Sequence, residues 1–135
     1  MSSHIPHDSH FKLTRHLPTR YWHEQLDAGT FRSSVVLDAT YGFGGDGSGT
    51  NRCITTGPFA NYTNSLGPGY QITNHCIDRR INDVMSTGSS QANVDACLAK
   101  TDFASAWPCI EGQPHGGGHG GVGGQVSLFC WAVTA

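Results

Sequence analysis

The segment His115-Gly-Gly-Gly-His119-Gly-Gly-Val-Gly-Gly124 constrains this chain more than any other. Each glycine opposes a helix by roughly 1 kcal/mol, yet the histidine spacing is the spacing of a helix face. Four residues apart on an α-helix, His115 and His119 would lie about 40° from each other and could address one metal ion. Neutral imidazole suits copper, zinc, iron or nickel. No acidic residue lies between the two histidines, which removes the zinc-protease pattern, where a glutamate directly follows the first histidine. The competing reading at this point is a glycine-rich surface loop that carries two histidines and binds nothing.

The rest of the composition narrows the class. A chain of 135 residues holds one domain with a single core. Its 8 Lys+Arg against 10 Asp+Glu give a formal net charge of -2, which excludes the basic footprint of a nucleic-acid binder. With 13% charged residues and 18 glycines, the chain relies on loops more than on long surface helices. No apolar run approaches the ~18 residues of a membrane span, so no membrane partner is expected. The first residues lack the apolar core of a signal peptide. Of the five cysteines, Cys53, Cys76, Cys97 and Cys109 lie mid-chain and can form two disulfides in any of three pairings, while Cys130 stands in the C-terminal tail. Together with the glycosylation sequon Asn61-Tyr-Thr63, they point toward an oxidising, secretory history.

Along the chain, residues 1–20 read as a loosely ordered lead-in. Tyr21-Trp-His-Glu-Gln-Leu26 suits a short helix or an extended segment, and Ser33-Ser-Val-Val-Leu37 suits a short strand. Tyr41 to Gly49 is a glycine loop; without Gly-Lys-Ser/Thr it is no phosphate cradle. Cys53 to Tyr70 reads as an ordered but irregular excursion rich in Gly, Pro, Asn and Thr. Apolar Ile77, Ile81, Val84 and Met85 predict a helix over 75–85, with Asp78-Arg-Arg80 as its solvated face and His75 as a helix-start or surface residue. Ser89 and Ser90 offer caps for a second helix through Val94 and Leu98, ending before Pro108.

Taken in order, several segments resemble the copper-binding domain of fungal tyrosinases. Tyr21-Trp-His-Glu-Gln-Leu-Asp-Ala28 is similar to the family's Tyr-Trp-Asp segment, with His23 where aspartate is usual. Phe43-Gly-Gly-Asp-Gly47 and Cys53-Ile-Thr-Thr-Gly-Pro-Phe59 resemble the loop carrying Gly-Pro-Phe, and Asn64-Ser-Leu-Gly-Pro68 and Cys76-Ile-Asp-Arg-Arg80 its continuation. His115 to Gly124 resembles the start of the second copper site, where a His-x-x-x-His pair precedes Gly-Gly. The ordered set covers roughly residues 18–125.

The resemblance implies a mainly α fold with long irregular Gly/Pro-rich loops, a partial tyrosinase-like helical bundle. It divides the chain into a lead-in (1–20), a partial copper-binding domain (21–125) and a tail unlike the family (126–135). In that family two coppers, each held by three histidines, use dioxygen to oxidise phenols and o-diphenols to o-quinones. Residue by residue, only His115 and His119 carry over, as two ligands of the second copper. The family's Trp-His-Arg motif and its His-His-Ala-x-x-Asp segment have no counterpart here, and His4, His7, His10 and His16 match no family motif. The expectation is therefore a truncated copper oxidoreductase that binds at most one copper and is inactive or barely active alone. The alternative is a disulfide-stapled secreted binding or structural module.

Overall fold

The computed structural model describes residues 21–66 and 72–124. His4, His7, His10, His16, Cys130 and the apolar tail 126–135 lie outside the described residues. Three short 3-10 turns, Glu24–Leu26, Phe31–Ser33 and Val35–Leu37, lead into a long loop. An antiparallel pair follows, β1 (Thr63–Leu66) with β2 (Ile72–Cys76). The second half is helical: α1 (Asp83–Ser86), a 3-10 turn Thr87–Ser89, α2 (Gln91–Leu98), α3 (Phe103–Ile110) and α4 (Gly116–Val122). The fold is mainly α with long irregular loops, as the composition and the resemblance imply.

Local chemistry explains where the elements depart from periodicity. The Ser33–Leu37 segment is not a strand: Ser33 ends one 3-10 turn and Val35–Leu37 forms the next, where the Ser34 hydroxyl accepts the Val36 N–H at 3.2 Å and curls the backbone. No helix spans 75–85, because its backbone groups are claimed elsewhere. The Arg79 N–H donates to the Arg52 carbonyl at 2.9 Å, and the Ile81 N–H to Asp46 Oδ1 at 3.0 Å. Only Asp83–Ser86 is helical, capped by the Asn82 side chain; Val84 points to solvent, and Met85, partly exposed, lies against Gly120. The stretch after Ser90 holds two helices, since Asp102 Oδ1 accepts the Ser105 N–H at 2.9 Å and starts α3, which includes Pro108.

The core is small. Phe31, Leu37 and Ile81 are buried together, with Trp22 and Val122 packed against them. Trp22 and Phe31 meet at 4.6 Å between ring centroids, tilted by 50°. Trp22 Nε1 donates to Asp27 Oδ2 at 2.7 Å, and the Ser34 hydroxyl donates to the same oxygen at 2.6 Å. Ser86, fully buried, is satisfied on both sides: its hydroxyl accepts the Gly29 N–H at 2.9 Å and donates to the Asp83 carbonyl at 2.8 Å.

Covalent and ionic ties supplement this core. Disulfides join Cys53 to Cys76, across the loop to β2, and Cys97 to Cys109, across α2 and α3. Asp46 takes hydrogen bonds from Arg32 at 2.6 Å and from Arg52 at 3.2 Å. Burial acts to raise its pKa, but the Arg32 bond, the Ile81 N–H and the charges of Arg32 and Arg52 outweigh it and hold the carboxyl below its ordinary value. Arg79 corrects the reading of 78–80 as a solvated face. It is buried, and its guanidinium donates to the carbonyls of Phe43 and Gly44, pinning the glycine loop from below. Burial pushes its pKa down, against the pull of Asp46.

Candidate metal centre

The glycines of α4 have a packing cause. A Cβ on Gly117 would collide with the backbone of Gly88 and Ser89, and one on Gly121 would meet the Phe31 ring at 2.6 Å. Gly117 and Gly121 are one turn apart, so they form one face pressed against the core. Residue 115 lies about 200° around the helix from residue 117, so the His115/His119 face is the opposite one. The helix thus forms despite its propensity, because only glycine lets its neighbours approach this closely.

Both helix ends are anchored. Gln113 is extended (φ -152°, ψ 127°), as a residue before proline prefers, and Pro114 opens the new turn. At the other end, the Gly121 carbonyl accepts the Asn82 N–H at 2.9 Å and the Val122 carbonyl accepts the Arg80 N–H at 3.2 Å. These two carbonyls would otherwise be orphans of the last turn. Gly123 follows at φ 63° and ψ -165°, a positive-φ conformation open to glycine that ends the helix, and its N–H donates to the His119 carbonyl at 2.8 Å.

On this scaffold the two imidazoles meet. Their ring centroids are 4.4 Å apart, with the planes at 71°. His115 is exposed and His119 half-buried. Burial pushes the His119 pKa down, and the neighbouring His115 pushes it the same way, which favours the neutral ring that a metal needs. Sequence reasoning missed Glu24. Its half-buried carboxylate lies against α4 where Gly118 has no side chain; a Cβ there would stand 2.5 Å from Glu24 Oε2. Burial pushes the Glu24 carboxyl up, and the field of His115 draws it back.

Among the described residues, no three His, Cys, Asp or Glu side chains gather closely enough to enclose a metal. His23 and His75 therefore do not complete the pair. His75 sits on β2 with Nδ1 2.8 Å from the Thr73 carbonyl oxygen, and is neither a helix start nor a ligand neighbour. What the pair offers is two imidazole donors on one helix face, a donor set that suits copper, zinc, iron or nickel.

The model of the common central domain of tyrosinase matches residues 8–134. This chain belongs to the tyrosinase family. Two tyrosinase-like proteins of Diaporthe leptostromiformis, phomQ1' and phomQ1, are each 30% identical to it, with 70% of this chain aligned. The aligned region covers 31% and 30% of those proteins, so the chain spans about a third of the length of the curated relatives it matches. No solved structure matches it. The tyrosinase match runs past both ends of the 18–125 stretch whose motifs carry the resemblance. Among the described residues, no helix is long and apolar enough to cross a membrane.

Proposed function

We propose that this chain is a copper-binding tyrosinase domain in which His115 and His119 hold one copper, the second of the family's pair. The observation that carries this reading is the imidazole pair, 4.4 Å between centroids, on a helix whose opposite face is fixed by the core. Family membership supplies the reaction class: oxidation of phenols and o-diphenols to o-quinones by dioxygen. A copper held by the pair would supply one of the two electrons that dioxygen takes up, the family's other copper the second. His115 and His119 contribute ring nitrogens and hold them in register; α4 keeps the rings oriented without any side chain of its own between them.

Two imidazoles make a weak site. We therefore expect the chain alone to bind a single copper loosely and to oxidise catechols little or not at all. Copper titration of the full chain, followed by absorbance and by o-quinone formation from catechol, tests this. Binding of one equivalent that His115→Ala abolishes is the expected result. A coupled two-copper signal with intense near-ultraviolet absorption on oxygenation would overturn it.

The two disulfides favour a second reading, a stapled binding or structural module in which the histidines have no metal role. Unchanged copper binding in a His115→Ala/His119→Ala variant would select it.

A further inference from the structure

Gly118 and Glu24 are fitted to one another, and the fit places a carboxylate beside the histidine pair. Around α4, residue 118 lies about 60° from residue 115, on the flank away from residue 119. A Cβ at position 118 would come within 2.5 Å of Glu24 Oε2 and 3.2 Å of its Oε1. The carboxylate thus occupies the volume that a side chain at 118 would fill. It is half-buried there, and it interacts electrostatically with His115.

Resting on the copper reading above, we propose that Glu24 is a positioning residue of the metal centre, whose negative charge, seated in the notch left by Gly118, stabilises a cation held by His115 and His119. It acts through the field and not as a ligand, since no three donors cluster among the described residues. A single negative charge near a half-exposed cation is worth about tenfold in affinity for a divalent ion. For a monovalent ion the same field acts on half the charge, and the effect is about threefold.

Glu24→Gln keeps the shape and removes the charge. Gly118→Ala keeps the charge and fills the notch; because the displaced atoms end a flexible side chain, the carboxylate swings into solvent and the helix is retained. Cu(II) and Cu(I) dissociation constants are measured by chelator competition on the full chain, with thermal melts alongside. Both variants should bind Cu(II) about tenfold and Cu(I) about threefold more weakly. That difference raises the copper reduction potential by about 30 mV, at 59 mV per tenfold for one electron. Neither should lower the melting temperature.

If His115→Ala abolishes binding while Glu24→Gln and Gly118→Ala stay within twofold of the parent, the role of Glu24 is overturned and the copper reading stands. Weakening by Glu24→Gln alone would overturn the notch as the seat of the charge. A lowered melting temperature with an unchanged potential would make Glu24 merely structural. Copper binding indifferent to His115→Ala and His119→Ala would remove the copper reading itself.

Discussion

Gly88 and Gly117 face each other where the Thr87–Ser89 turn crosses α4, and a methyl group on Gly88 would stand 2.8 Å from the Gly117 Cα. Backbone meets backbone there, so neither residue can yield as a side chain would. Gly117→Ala should destabilise the fold by about 1–3 kcal/mol through overpacking, although alanine is intrinsically the better helix former. Denaturant unfolding of Gly117→Ala beside Gly118→Ala checks this: one turn face should refuse the methyl, the next should accept it.

Asp46 should set the acid limit of the fold. Its folded pKa is lowered, so its contribution is complete above its ordinary value near 3.8 and is lost as pH falls through the lower folded value. Asp46→Asn keeps one acceptor oxygen but removes the negative charge and the second acceptor that Arg32 and Arg52 use, and should cost about 1.5–3 kcal/mol at neutral pH. Between pH 5 and 2, the parent should lose stability more steeply than the variant. Urea midpoints across that range are the measurement; parallel curves would refute the assignment.

Phe31 fills the space that Gly121 leaves open, and it is wholly buried. Phe31→Ala should cost about 3–5 kcal/mol and loosen α4 as well as the core. Exchange protection of the amide protons of α4, followed by NMR, should fall together with global stability.

The disulfides should both be needed. Cys53–Cys76 spans 23 residues and Cys97–Cys109 spans 12, so chain entropy assigns about 2–4 kcal/mol to each, with the longer loop ahead by roughly 0.5 kcal/mol. Paired Cys→Ser variants compared by thermal melts report the order. Near-native stability of the fully reduced protein would contradict the assignment.

The histidine pair was legible from the chain because it rests on short-range spacing, and the family because several short segments keep its order over roughly residues 18–125. The helical content was legible too, through Ser90 and the apolar pattern at Val94 and Leu98. Glu24 was not, since its partner Gly118 is brought to it only by the fold and offers no chemistry of its own to read. Arg79 was hidden for another reason: a charged residue in a run looks alike whether water or backbone carbonyls surround it. The glycines of α4 read as opposition to a helix, whereas crowding by Gly88, Ser89 and Phe31 is what makes them necessary. The apolar period over 75–85 misled because Asp46, Arg52 and Ile54 take those backbone groups from far along the chain.

A helix with five glycines among its seven residues has almost no tendency to exist by itself. Its two imidazoles are neighbours only while Phe31 and the segments at 80–82 and 86–89 hold it in place. In the unfolded chain that proximity is no longer held, so a metal ion that grips both rings binds the native state more tightly than the unfolded one. If His115 and His119 hold copper as proposed, copper affinity gauges how much of the chain is folded, and added metal should raise the melting temperature in step with its concentration.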